Sequence, residues 1–107
     1  MVTEPAAYRD VSGAAAGVHR IDGIGDGPPG PFGRDLVDEI EAVENEEAYE
    51  MARRLARDEG VFRGKSSGAN VTVALRIAAR LGPGKTVATV ICDSGYKYLS
   101  GDLFDTA

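Results

Sequence analysis

The chain has 107 residues, 43% of them hydrophobic and 27% charged, and a net charge of −5. This describes one folded domain at most, with a modest core and an acidic surface that lacks the main electrostatic term for nucleic-acid binding. With one cysteine, Cys92, and one histidine, His19, the sequence excludes an internal disulfide, a thiolate zinc cluster and a multi-histidine metal site, and it fits a reducing compartment.

The N-terminal Met1-Val2-Thr3-Glu4-Pro5 has neither the basic region nor the hydrophobic stretch of a secretion signal. No later apolar run approaches the ~20 residues that cross a bilayer, so the expected location is cytoplasmic. Residues 1–35 read as irregular, because seven glycines from Gly13 to Gly33, with Pro28, Pro29 and Pro31, forbid a long regular element. From residue 36 to 107 the pattern tightens into an α/β portion. Ile40, Ala42 and Val43 predict a short strand. A helix then starts near Asn45, a good N-cap type, and buries Ala48, Met51, Ala52, Leu55 and Ala56 along one face. Its glutamates lie at the start, its arginines near the end, and Gly60 stops it.

A second helix is expected from about Gly68 to Leu81, apolar over a wide surface, and ended by Gly82-Pro83-Gly84. Thr86 to Ile91 (TVATVI) is a β-branched run of strand length. Its lack of polar alternation predicts a parallel strand covered on both faces.

Three glycine motifs invite a ligand. Gly25, Gly27 and Gly30 match G-x-G-x-x-G, but no strand precedes them, and Pro28 and Pro29 remove amide donors, so the dinucleotide reading fails. Gly84-Lys85-Thr86 imitates the end of a phosphate loop, yet it leaves a helix to enter a strand, and Ala79 stands where the first glycine belongs. Lys85 is therefore a solvated turn residue. The stretch Gly64–Asn70 (GKSSGAN) survives, because it opens a helix whose free N–H groups and positive dipole end can hold an anion or an electron-rich atom. Ser66 and Ser67 add hydroxyls, and Gly68 offers close approach of a flat ligand. On spacing alone the same residues are a serine-capped helix start.

The segment Glu59–Phe104, "EGVFRGKSSGANVTVALRIAARLGPGKTVATVICDSGYKYLSGDLF", resembles the C-terminal part of the cysteine synthase family, which are fold-type II pyridoxal-phosphate enzymes close to cystathionine β-synthase. "GVHRIDGIGDG" (Gly17–Gly27) resembles the family's G-x-H-x-I-x-G-I-G segment, and Val2–Pro5 the strand end before it. The resemblance implies that Ser66, the first serine of G-x-S-S-G-A, bonds the pyridine nitrogen of pyridoxal 5′-phosphate in the loop that Gly64 opens. It implies that Gly23 and Gly25 line the cleft, and that Cys92 and Asp93, with Ser94, lie near the pyridine edge. For Cys92 a buried structural thiol is an equal alternative; His19, Tyr96, Tyr98 and Leu99 read as packing residues.

The implied activity is replacement of the acetoxy group of O-acetylserine by sulfide, in a homodimer, with serine acetyltransferase as a further partner. No residue here matches the Schiff-base lysine, the substrate-carboxylate loop or the phosphate cradle, so the resemblance places all three upstream and assigns no catalytic or metal-binding residue to this chain. Lys65, Lys85 and Lys97 are not that lysine. Two local departures stand out: Arg63 and Lys65 occupy positions that are usually small or apolar, and Pro28-Pro29 replaces an aromatic or aliphatic residue. The contrasting reading is a stand-alone, non-catalytic module that binds a small anion or a partner protein through Gly64–Asn70.

Overall fold

The computed structural model describes residues 2–5, 21 and 37–105. The expectations for His19, Gly23, Gly25 and the Pro-Gly stretch lie outside these residues. Strand β1 (Val2–Pro5) pairs in parallel with β2 (Ile40–Val43), Val2 opposite Ile40 and Pro5 opposite Val43. The strand end expected at Val2–Pro5 is thus present, as is the strand at Ile40–Val43.

Helix α1 spans Asn45–Glu59. Asn45 is its first residue rather than its cap. Glu44 holds the cap position, and the Glu47 carboxylate accepts the Glu44 N–H at 3.0 Å. A three-residue offset between two carboxylates at a helix start is the capping-box arrangement, which satisfies donors that the helix itself leaves unpaired. At the other end Gly60 takes the left-handed conformation, φ 67°, which lets the Val61 N–H close on the Leu55 carbonyl at 2.9 Å.

Helix α2 spans Lys65–Leu81 and begins one turn earlier than the apolar pattern indicates. The first turn, Lys65-Ser66-Ser67-Gly68, has no apolar side chain, so periodicity carries no signal there. Helices α1 and α2 approach each other closely at Gly68. A Cβ at that position would lie 2.1 Å from the Ala48 carbonyl oxygen and 3.0 Å from the Ala52 nitrogen. Small residues on both helices, Ala48, Ala52, Gly68 and Ala69, are what make this crossing possible.

Two apolar clusters result. Ile21, Val43, Ala48, Ala69 and Val73, with Ile77 against them, fill the space between the sheet and the helices. Tyr49, Ala52, Tyr98 and Leu103, with Phe104, join α1 to the C-terminal segment. A polar seam ties α2 to β2 on the other side: Arg76 donates to the Ala42 carbonyl at 2.8 Å and to the Glu47 carboxylate at 2.6 Å, and Arg80 pairs with Glu39.

The run Thr86–Ile91 departs from expectation. It belongs to no strand, and Val90 and Ile91 are 66% and 40% exposed. A cleft of about 270 Å³, lined by Thr3, Val73, Ile77, Val87 and Val90 among others, separates it from β1. A ladder requires backbones about 4.8 Å apart. Among the described residues none lies at that spacing to complete one, so the β propensity of these side chains goes unused.

Two outcomes follow from this packing. Gly68→Ala should cost about 3 kcal/mol, because the new methyl meets backbone that cannot yield without parting the helices; equilibrium unfolding checks this. Hydrogen bonding to Arg76 holds the Glu47 carboxyl below its ordinary value of 4.5. A depressed carboxyl stabilises the fold above its unfolded pKa, and that contribution is lost as pH falls through the folded value. Arg76→Met should therefore cost about 1 kcal/mol at neutral pH, after discounting for the half-exposed pair. It should also flatten the acid limb of a stability-against-pH profile just below pH 4.5.

Candidate functional site

The start of α2 is built by three elements that meet there. Gly64 is the N-cap, in extended conformation, and its N–H donates to the Asp93 carbonyl at 2.9 Å. The Gly95 N–H donates to the Phe62 carbonyl at 3.0 Å, closing an antiparallel bridge between Arg63 and Ser94. The segment after Cys92 is thereby stitched to the segment that leads into α2. A 3-10 turn, Gly95–Tyr98, follows at once and folds the Tyr98 ring over Gly64.

Each residue of the glycine–serine motif then has a distinct position. Any Cβ at Gly64 would lie 2.2 Å from the Tyr98 ring, so this glycine makes room for an aromatic side chain of the chain itself. Gly68 makes room for α1. The expectation that Gly68 admits a flat ligand is corrected: the space that its missing side chain leaves is filled by the Ala48 backbone.

Neither serine is the cap. Both are inside the helix, because Gly64 already supplies the extended residue before it. Ser67 is fully buried, and its hydroxyl oxygen accepts the Cys92 N–H at 2.8 Å. Ser66 is 5% exposed, and its hydroxyl makes no hydrogen bond among the described residues. No fully sealed side-chain oxygen or nitrogen among those residues lacks a partner, so the Ser66 oxygen keeps an open side.

The structure brings Gly64, Ser66, Cys92 and Asp93 into one neighbourhood. Cys92 is exposed, which corrects the reading of a buried structural thiol, and its sulfur lies 3.7 Å from the Asn70 amide nitrogen. Asn70 also donates to the Val90 carbonyl at 3.1 Å, holding the exposed run along α2. The Asp93 carboxylate is engaged by Lys97 at 2.9 Å and by the Tyr98 hydroxyl at 3.1 Å, and these donors hold its pKa below the ordinary value. Its role here is to seat Tyr98.

Tyr98 packs as expected; Tyr96 is 75% exposed but sets its ring edge-to-face on Phe62, centroids 5.0 Å apart, and Leu99 is 60% exposed. Lys85 is exposed, as a turn residue should be, and Arg63 is exposed too. Lys65 is different: its ammonium lies 5.1 Å from the centre of the Tyr49 ring and 5.3 Å from that of Tyr98. Sequence reasoning missed this contact, since Tyr49 and Tyr98 are far from Lys65 along the chain. Among the described residues no group of three or more metal-ligating side chains occurs, and no helix is long and apolar enough to cross a membrane.

The site is therefore a helix start with two buried serines in sequence, one of which, Ser66, has a hydroxyl that makes no hydrogen bond among the described residues. The model of the pyridoxal-phosphate dependent enzyme family matches residues 1–93. The chain belongs to that family.

Among its relatives, the cysteine synthase of Staphylococcus aureus (strain Mu50) is 43% identical over 102 residues, 94% of this chain and 33% of that protein. A probable cysteine synthase of Bacillus subtilis is 42% identical over 105 residues, 96% of this chain and 33% of that protein. Among solved structures, O-acetyl serine sulfhydrylase isoform 3 from Entamoeba histolytica superposes with a TM-score of 0.90 at 35% identity, over 98% of this chain and 32% of that one. The O-acetylserine dependent cystathionine β-synthase from Helicobacter pylori gives 0.88 at 36% identity, over 95% of this chain and 33% of that one. The chain thus spans about a third of the length of the relatives it matches.

The two serines should separate cleanly on mutation. Ser67→Ala removes the acceptor of the Cys92 N–H, and should cost about 1 kcal/mol and speed the reaction of Cys92 with a thiol reagent. Ser66→Ala should change stability by less than about 0.5 kcal/mol, because no bond within the described protein is lost. Thermal melts and thiol-reagent kinetics on both variants check the pair.

Proposed function

We propose that the chain is the C-terminal portion of a cysteine synthase, and that it forms the ring-nitrogen end of the cofactor site. One observation carries the reading: Ser66 is buried at a helix start, with a hydroxyl that makes no hydrogen bond among the described residues. Its oxygen keeps an open side, so a ligand atom can take the hydroxyl without displacing a partner among the described residues. Gly64, Gly68 and Ser67 are accounted for by packing and internal hydrogen bonds, which leaves Ser66 as the motif residue available to a ligand.

The residues present suit pyridoxal phosphate. A neutral hydroxyl can donate to an unprotonated ring nitrogen, and the positive end of α2 disfavours a proton there. When bound, the cofactor supplies an electron sink for bond breaking at the substrate's α and β carbons. The chain's own contribution is to keep that sink moderate, which suffices for β-replacement, where the leaving group departs early. By the same reading Cys92 and Asp93 flank the ring edge, Gly64 shapes the loop beneath it, and Gly23 and Gly25 line the cleft. The complete enzyme takes O-acetylserine and sulfide, works as a cytoplasmic homodimer and is open to serine acetyltransferase. Its Schiff-base lysine lies outside these 107 residues, so this chain alone turns over no substrate.

Pyridoxine 5′-phosphate tests the site without interference, because it lacks the aldehyde that reacts with surface lysines. At about ten times its Kd it should raise stability by about 1.4 kcal/mol, several °C in Tm for a chain this size. Ser66→Ala should abolish that shift, and inorganic phosphate alone should not reproduce it. Equal shifts with phosphate or sulfate would instead identify a simple anion site at the helix start. No shift with any of these ligands would remove the ring-binding reading. Turnover of O-acetylserine and sulfide by the 107-residue chain would overturn the assignment of the lysine elsewhere.

A further inference from the structure

Lys65 is an unlikely residue for the place it holds. It is the first residue of α2, where the helix end is already positive, and no acidic residue stands in the first turn to offset it. A lysine here should turn to solvent. Instead its ammonium sits between two aromatic faces, Tyr49 on α1 and Tyr98 on the 3-10 turn, at 5.1 and 5.3 Å from their centres. Both rings are buried, 1% and 5% exposed.

Each phenol also donates to a carboxylate: Tyr49 to Asp102 at 3.2 Å, and Tyr98 to Asp93 at 3.1 Å. A phenol that donates to an anion gains electron density on its ring, which deepens the attraction for a cation over the face. Second cations approach the same rings, Arg53 at 5.7 Å from Tyr49 and Lys97 at 5.7 Å from Tyr98. Of these cations, Lys65 alone reaches both rings and is bonded in sequence to Ser66.

We infer that Lys65 is a positioning residue for Ser66. Its ammonium bolts the first turn of α2 to α1 through Tyr49, and to the C-terminal turn through Tyr98, and so fixes where the adjoining serine hydroxyl stands. The inference deepens the ring-binding reading, on which its functional meaning rests. Three elements converge on the start of α2, and Gly64 and Gly95 hold two of them by backbone bonds. The contact of Lys65 with Tyr49 brings the third, α1, onto the same turn.

The test uses the 107-residue chain with no cofactor, so its failure and the failure of the ring-binding reading are distinguishable. Amide hydrogen exchange is followed at Gly64 and Gly95, whose N–H groups are bonded across the joint, and at Gly68, whose N–H closes the first turn of α2 on the Gly64 carbonyl, with Val61 as the reference outside. Lys65→Met keeps the length and loses the charge, and should accelerate the three joint amides about tenfold relative to Val61, the order expected for two desolvated cation–π contacts. Lys65→Arg keeps a cation that stacks well, and should restore protection. No local acceleration in Lys65→Met, or equal acceleration in Lys65→Arg, would overturn the inference. Should Lys65→Met fail to fold, the wild-type chain still decides. Ring currents should move the Lys65 ε-methylene protons upfield of those of solvated Lys85, and coincident shifts would overturn the bolt.

Discussion

The rest of the structure depends on how closely α1 and α2 approach at Gly68. The Ala48 carbonyl lies where a side chain would begin, so the helices meet backbone to backbone. Such contact is open only to small residues and fixes the crossing point within a fraction of an ångström. Ala69 and Val73 then fall against the sheet-side cluster, and Tyr49 and Ala52 against the C-terminal one. Because Gly68 lies only two residues from Ser66, the geometry that locks the helices also sets the height of the candidate site.

Charge around this crossing divides into two zones. Along the sheet side, Arg76 and Arg80 reach Glu39, Glu41, Glu47 and the Ala42 carbonyl, and opposite charges compensate directly. At the start of α2, tyrosine rings face the lysine, and carboxylates stand behind the tyrosines.

Legibility in the sequence followed the range of the interactions. Helix α1 was readable to its last residue, because its apolar spacing, charge order and terminal glycine are all local. The first turn of α2 was not, since Gly64 and Gly68 are explained by Tyr98 and Ala48, partners that come from other elements. Ser66 stood out as a candidate site residue only by family pattern. The spacing of the two serines allowed a cap, and the cap is excluded by a single extended glycine one residue before the helix. The run Thr86–Ile91 misled for the opposite reason. Its β-branched composition reports suitability for a strand, but a strand exists only when another backbone lies about 4.8 Å away. Composition cannot supply that neighbour.

Ser66 and Ser67 show how one dipeptide serves two demands. Successive helix positions point about 100° apart, so one hydroxyl turns toward the segment at Cys92 while its neighbour cannot reach the same acceptor or donor. Ser67 uses its oxygen to hold the Cys92 backbone, and the bridge at Arg63 and Ser94 continues that hold into the turn bearing Tyr98. Ser66 is therefore surrounded by protein that is already committed elsewhere: Gly64 under Tyr98, Gly68 under α1, Lys65 between two rings, Ser67 on Cys92. A rigid frame around one unassigned hydroxyl is the arrangement that directed recognition requires, because ordering the donor in advance removes that cost from binding.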